Sequence, residues 1–221
     1  MNQELWEKVD DYINSVVIAP DAALAAAAES AVKAQLPPVS VTPAQGKLLQ
    51  LMARSLGAQR ILEIGTLAGY STIWLARALP PGGHLITIEA NPTHADIARA
   101  NIEGARVSDR VDIRVGKALD VLPHIAAERQ PPFDFVFIDA DRTGLADYFD
   151  WAVKLSRPGS VIIVDNVVRK GGVIDSASDN VDVKGVRRFN ERLKIDTRVD
   201  VTMIQTVGAK GHDGFAMALV R

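Results

Sequence analysis

The sequence contains no cysteine, which excludes disulfides, thiolate catalysis and cysteine-based zinc sites. It also has no excess of basic residues: the formal net charge is −2, so there is no electrostatic footprint for nucleic acid. The N-terminus has no basic segment followed by an apolar stretch, and the longest low-polarity run, over 22–28, is alanine-rich and too short to span a bilayer. We therefore expect a soluble, cytoplasmic protein with neither a nucleic-acid nor a membrane partner.

A strand, a glycine-containing turn and a helix over residues 60–79 organise the sequence. The run 60–64 is short and mainly apolar, and the residues from Ser71 to Leu79 have apolar side chains at helical spacing. Gly65 and Gly69 allow a ligand to approach the backbone closely, and amides at the helix start can hold a carboxylate or phosphate. The spacing Gly-x-x-x-Gly differs from the dinucleotide fingerprint, so it favours a smaller ligand; a plain strand-to-helix turn is the alternative.

The remaining pattern predicts an α/β fold with a doubly wound, mostly parallel sheet of seven strands. We expect one domain over 1–221, in which 1–40 form an N-terminal helical cap and 41–221 form the ligand-binding core. The predicted helices cover 5–17, 22–35, 43–57, 93–105, 145–155 and 183–193, with another after 120. Later strands are expected at 84–89, 111–115, 133–139 and 160–166, and an antiparallel hairpin over 199–204 and 215–220 closes the sheet. The segment 167–181 is expected to be an irregular, mobile loop.

Acidic residues occur at the predicted carboxyl ends of the strands, where ligands collect in such sheets. Glu89 ends the second strand, 24 positions after Gly65, and an acid there accepts hydrogen bonds from ribose hydroxyls in nucleoside-binding folds. Asp139, Asp165 and Asn166 end neighbouring strands and form an all-oxygen set that suits Mg²⁺ first, with Mn²⁺ or Ca²⁺ as alternatives. Helix caps are the alternative role for the two aspartates. The four histidines are scattered, without transition-metal spacing.

These motifs, in this order, resemble the cation-dependent O-methyltransferases of the catechol and caffeoyl-CoA type, from about Val41 to the C-terminus. The matching segments are 41–47, 63–71, 116–118, 137–141, 164–166 and 213–214. The resemblance implies a Rossmann-like fold, S-adenosylmethionine as cofactor, a divalent cation and a homodimer. It also implies the site residues. The cofactor contacts would be Val41, Glu63, Gly65, Thr66, Ser71, Glu89, Ala118 and Asp141, and the metal ligands would be Asp139, Asp165 and Asn166.

One departure from the family pattern bears on catalysis: Arg142 stands where the family usually has a lysine that is assigned as general base. A guanidinium is not deprotonated at working pH, so Arg142 cannot be that base, although it could stabilise a phenolate electrostatically. The remaining candidates are Asp141, Lys170, His212 and water, or no base at all, because a bound cation acidifies a hydroxyl. Asp139 and Arg142 are therefore the predicted catalytic residues.

The resulting hypothesis is a divalent-metal-dependent O-methyltransferase that acts on a vicinal dihydroxy-aromatic small molecule. Two alternatives stay open at this point. One is a methyltransferase for another acceptor, and the other is a non-catalytic protein that binds S-adenosylmethionine.

Overall fold

The structure is a computed structural model that describes residues 2–221, and two compact units can be distinguished in it. One unit comprises the chain up to Val9 together with Pro132–Arg221, and the other comprises Asp10–Pro131. The predicted division into a cap over 1–40 and a core over 41–221 follows a different boundary. It stays a prediction, as does the single domain.

The helices and strands alternate through most of the chain. The helices are α1 (Gln3–Val17), α2 (Ala22–Lys33), α3 (Pro43–Ser55), α4 (Tyr70–Ala76), α5 (Pro92–Gly104), α6 (Ala118–Ala127), α7 (Leu145–Lys154) and α8 (Val181–Ile195). The strands are β1 (Arg60–Ile64), β2 (His84–Glu89), β3 (Val111–Val115), β4 (Phe133–Ile138), β5 (Ser156–Asp165), β6 (Val199–Gly208) and β7 (Gly211–Val220). Short 3₁₀ helices occupy Ser108–Arg110 and Arg169–Ile174.

The strands form one seven-stranded sheet in the order β3-β2-β1-β4-β5-β7-β6. Strand β2 runs parallel to β1 and β3, and β4 runs parallel to β5. Strand β7 runs antiparallel to its neighbours β5 and β6. The predicted α/β fold with a mostly parallel sheet and an antiparallel C-terminal strand is confirmed.

Local sequence explains where several helices begin. Asp21, Thr42, Asn91 and Asn180 each precede a helix in extended conformation and accept backbone amide hydrogen bonds in its first turn. Strand β4 is buried along its whole length, as expected for a strand with both faces covered. Among residues 2–221, no helix combines the length and the apolar character needed to cross a membrane.

Two regions are more regular than the sequence indicates. Strand β5 begins at Ser156, four residues before the predicted start, because Arg157 donates to Asp134 on β4 and Ser160 donates to the Phe133 carbonyl. The hairpin of β6 and β7 is also longer than predicted, since Gly211 adopts a φ of +92° that allows a tight turn. The segment expected to be irregular contains 3₁₀ turns within Arg169–Ile174, but Lys170 and Gly171 have positive, non-helical φ angles that interrupt them with a kink.

We expect Phe149→Ala to lower the free energy of unfolding by about 3–5 kcal/mol, because truncating a buried aromatic side chain leaves a cavity. Phe149 of α7 is fully buried, and its ring packs edge-on against Phe189 of α8 with centroids 5.4 Å apart. Urea denaturation measures the change. Ile174→Ala is the matched control, because Ile174 is 88% exposed, and an equal loss in both variants would contradict this account of the core.

Candidate functional site

The loop between β1 and α4 follows an unusual backbone path. Gly65, Leu67 and Gly69 all have positive φ angles, of 101°, 50° and 80°. At Gly69 the reason is steric as well, since a Cβ would lie 3.3 Å from Ile102 and 3.4 Å from Ala98 on α5. The two glycines that the sequence marks are therefore required by the loop itself. The structure supports a close helix approach at Gly69 in addition to any ligand contact.

The carboxylate of Glu63 is completely buried, and it is the centre of a hydroxyl network. Ser71 donates to Oε1 at 2.6 Å, while Thr72 and Thr87 donate to Oε2. The parallel register explains the third contact, because Glu63 pairs with Thr87 across β1 and β2. Glu63 thus fixes the start of α4 through Ser71 and Thr72, and its predicted cofactor contact stays a prediction.

Glu89, at the end of β2, accepts hydrogen bonds from the backbone of the same loop. Its Oε2 accepts from the amides of Thr66 (3.2 Å) and Leu67 (2.8 Å), and its Oε1 accepts from the amide of Asn91 (2.9 Å). The hydroxyl of Thr66 lies 2.6 Å from that of Thr87, and since Thr87 donates to Glu63, Thr66 is the donor. One network therefore connects four of the predicted cofactor residues: Glu63, Thr66, Ser71 and Glu89.

Three other predicted cofactor residues are positioned by the backbone. Gly65 directly follows β1 and donates its amide to the Ile88 carbonyl at 3.0 Å. Val41 is buried directly before the Thr42 cap of α3, and Ala118 is the buried first residue of α6. Within the described chain, neither Val41 nor Ala118 is a member of the Glu63–Glu89 network.

The predicted metal ligands belong to the other compact unit and lie at matching strand ends. Ile138 pairs with Val164 across β4 and β5, so Asp139 and Asp165 follow at equivalent positions of two parallel strands. Asp165 is buried, and its Oδ1 accepts the Asn166 amide at 2.9 Å. Asn166 itself has a φ of +61°, a conformation that asparagine tolerates better than most residues. The alternative role of helix cap is not supported, because neither α7 nor α8 is capped by these aspartates.

Arg142 contacts two of these three residues. Its Nη2 donates to Asn166 Oδ1 and lies 3.4 Å from Asp139 Oδ1, whereas its buried Nε has no hydrogen-bond partner. Burial raises the pKa of Asp139, and the positive charges of Arg142 and Lys210 oppose that rise. The oxygens of an acid and an amide therefore converge on one cationic nitrogen.

Asp141 has its carboxylate engaged within its own segment. Oδ1 accepts from the Thr143 hydroxyl (2.6 Å) and the Gly144 amide (2.9 Å), and Oδ2 accepts from the Tyr148 hydroxyl. Burial acts to raise the pKa of Asp141, but these hydrogen bonds and Arg142 outweigh it and hold the pKa below its usual value. Asp141 is accordingly a poor proton acceptor, and its predicted cofactor contact stays a prediction.

Lys210 is a residue that sequence reasoning missed. It lies in the exposed turn between β6 and β7, yet burial of its ammonium group lowers its pKa, and Asp139 and Asp165 attract its charge. The sequence offered one signal, because Lys210 lies three residues before Asp213, the first residue of the motif 213–214. Asp213 Oδ1 accepts the amides of Val168, Arg169 and Gly214, each at 3.0 Å, and so connects the turn to the segment after β5.

The other candidate bases are less well placed. His212 shares a hydrogen bond with Gln205 on the neighbouring strand (3.0 Å), and Lys170 is exposed. Within residues 2–221, no group of three or more His, Cys, Asp or Glu side chains could hold a metal ion. The predicted set has only two carboxylates and depends on the amide oxygen of Asn166.

We expect Glu63→Gln to lower the free energy of unfolding by about 1–3 kcal/mol, because the new amide NH₂ would face a hydroxyl donor inside a buried network. Thermal unfolding should show a lower Tm, by roughly 2–4 °C for each kcal/mol lost. The control is Glu29→Gln, because the carboxylate of Glu29 is exposed and forms a long ion pair with Lys33, at 3.7 Å. Equal Tm values for the two variants would show that the buried network does not stabilise the fold.

Comparison with known proteins shows the family and the fold of this chain. A family model described as O-methyltransferase matches residues 15–219. A catechol O-methyltransferase of Niastella koreensis is 51% identical over 221 residues, covering 100% of both chains. A crystal structure of an O-methyltransferase from Bacillus cereus in complex with SAH (S-adenosylhomocysteine) has a TM-score of 0.98 and 54% identity, again covering 100% of both chains.

A third relative differs in its biosynthetic role. The O-methyltransferase TomG of Streptomyces achromogenes, involved in tomaymycin synthesis, was solved in complex with SAM (S-adenosylmethionine). Its TM-score is 0.96 at 50% identity, and the match covers 100% of this chain and 99% of TomG. With a family model that spans nearly the whole sequence and cofactor-bound relatives of the same fold, the chain belongs to the O-methyltransferase family and is an S-adenosylmethionine-dependent O-methyltransferase.

Proposed function

We propose that this protein is a divalent-metal-dependent O-methyltransferase for a vicinal dihydroxy-aromatic small molecule. The observation that carries the proposal is the convergence of Asp139 Oδ1 and Asn166 Oδ1 on one cationic nitrogen, with Asp165 at the adjacent strand end. The name of the Niastella koreensis relative, catechol O-methyltransferase, supports the same substrate class.

The residues at these strand ends fit a hard divalent cation. Two carboxylates and one amide supply only oxygen ligands, which Mg²⁺ prefers, and Mn²⁺ or Ca²⁺ could replace it. The site already attracts positive charge, since both Arg142 and Lys210 are drawn to Asp139. When bound, the cation would lower the pKa of a substrate hydroxyl that it contacts and would favour the phenolate form.

The cofactor residues have separate tasks in this proposal. S-adenosylmethionine supplies an electrophilic methyl group. Glu89 would accept a hydrogen bond from the ribose hydroxyls, for which its carboxylate retains about one of its four acceptor positions beyond the three amide contacts. Glu63 would act through Ser71 and Thr66, whose hydroxyls its network holds in place. Gly65, Val41, Ala118 and Asp141 complete the proposed cofactor contacts.

Catalysis in this account is mainly orientation and charge stabilisation. The positive charges of Arg142 and Lys210 would stabilise the substrate oxyanion that attacks the methyl group. A protein base is not required, and Asp141 is unsuited to that role because its pKa is held low. The substrate proton would leave to water.

A different methyl acceptor is the second candidate. Arg142 in place of the family lysine favours it, and so does the relative that is involved in tomaymycin synthesis.

A homodimer and a cytoplasmic location also remain part of the proposal.

Release of SAH from purified protein with a small panel of catechols tests the proposed function. We expect turnover with Mg²⁺ and its loss in EDTA, followed by recovery when excess Mg²⁺ is restored. A catechol with one hydroxyl already methylated is the matched control and should react much more slowly, because it offers one fewer chelating hydroxyl. Turnover that is insensitive to EDTA would refute the metal dependence, and cofactor binding without catechol turnover would favour the second candidate.

Asp165→Ala should abolish this metal-dependent turnover, because it removes a metal ligand, while the SAH affinity measured by calorimetry changes by less than about threefold. The matched control is Asp179→Ala, since the carboxylate of Asp179 is fully exposed and pairs with Lys184 at 3.0 Å. An equal loss of SAH binding and turnover in Asp165→Ala would argue against a separate metal role.

A further inference from the structure

We propose that Arg142 and the divalent cation are alternative occupants of the oxygens of Asp139 and Asn166, so that Arg142 sets the affinity of the protein for the cation. The inference rests on the proposed metal dependence and extends it to regulation of the same site. It treats Arg142 as a competing internal cation, beyond its proposed action on the substrate.

The contacts of Arg142 carry the inference. One nitrogen, Nη2, makes both the contact with Asp139 Oδ1 and the contact with Asn166 Oδ1. A cation that used these two oxygens as ligands would need the volume that Nη2 occupies. Since two positive groups cannot share that volume, one must leave before the other binds.

The remainder of the Arg142 side chain is weakly held. Its side chain is largely buried, with 14% exposed, but among residues 2–221 its Nε has no hydrogen-bond partner, and the hydrogen bonds to Asp139 and Asn166 both come from Nη2. A guanidinium has five N–H donors, so most of its donor capacity is not used here. The arrangement holds the guanidinium mainly through the two oxygens that the cation would take.

The backbone at Arg142 cannot move as easily as its side chain. A Cβ at Gly185 of α8 would lie 2.3 Å from the Arg142 carbonyl oxygen, so the two backbones are already in close contact. Displacement of the loop would have to separate them. The exchange is therefore a rotation of the Arg142 side chain, while Asp139 and Asn166 stay at the ends of their strands.

Competition of this kind weakens the apparent affinity for the cation. The reduction depends on the fraction of molecules in which Arg142 has left the oxygens of Asp139 and Asn166. A hydrogen-bonded charge pair of this type corresponds to roughly a tenfold to hundredfold shift in that fraction. Removing the guanidinium should tighten cation binding by about the same factor. Removing a positive charge that does not contact these oxygens should change the cation affinity much less.

Mn²⁺ binding to the full-length protein, followed by the electron paramagnetic resonance signal of free Mn²⁺, tests the proposal without an activity assay. The variants are Arg142→Gln, Asp165→Ala and the charge-matched control Arg169→Gln. Arg169 pairs with Asp182 at 2.8 Å and lies 3.9 Å from Asp213, and it contacts neither Asp139 nor Asn166. Circular dichroism and SAH binding establish that each variant is folded.

We expect Arg142→Gln to lower the Mn²⁺ dissociation constant about tenfold or more, and Arg169→Gln to change it by less than about threefold. Unchanged or weaker binding in Arg142→Gln overturns the inference, and so does an equal gain in both arginine variants, which would indicate a general charge effect. In both cases the proposed metal site survives, provided that Asp165→Ala binds Mn²⁺ more weakly than the wild type. Mn²⁺ binding that is absent from wild type and Arg142→Gln alike refutes the metal site and this inference together.

Discussion

Burial of carboxylates at the ends of parallel strands is the constraint on which the rest of this structure depends. An ionised carboxylate away from water is costly unless hydrogen-bond donors or positive charges compensate it. Glu63 obtains three hydroxyl donors, and Glu89 obtains three backbone amides. Asp139 obtains instead the charges of Arg142 and Lys210. The two compact units thus meet the same electrostatic requirement in different ways.

This difference corresponds to different chemical tasks. Neutral donors around Glu63 and Glu89 fix the loop after β1 in one shape, which suits a site that orients a cofactor. Positive partners around Asp139 can be exchanged for another positive group, which suits a site that binds a cation. The substitution of arginine at position 142 then has two consequences: it removes a titratable base, and it adds a permanent charge beside the proposed metal ligands.

Much of the fold could be predicted from the sequence, because local signals agree with the tertiary structure. The predicted starts of α2 and α3, at positions 22 and 43, match the structure, in which Asp21 and Thr42 cap these helices. The apolar run 133–138 also indicates a strand that is buried on both faces. The early start of β5 was missed because it depends on Arg157 and Ser160 contacting β4, which are long-range contacts without a local pattern.

The site was predicted less completely, for a physical reason. Motif order predicts Glu63, Glu89, Asp139 and Asp165 as site residues, but it does not reveal which groups compensate their charge. Thr72, Thr87 and Lys210 emerge only when the strand register and the hairpin turn are known. The engagement of Asp141 by Thr143, Gly144 and Tyr148 is equally invisible in the sequence, and it removes one of the candidate bases.

The central claim is that Asp139, Asp165 and Asn166 hold a divalent cation during methyl transfer to an aromatic diol. The most direct measurement is a crystal structure with Mn²⁺, SAH and a catechol, with data collected at the manganese absorption edge. The account predicts an anomalous peak bonded to oxygens of these three residues and of the catechol, with Arg142 turned away from Asp139. A catechol and SAH bound without such a peak, with Arg142 still on Asp139 and Asn166, would contradict it.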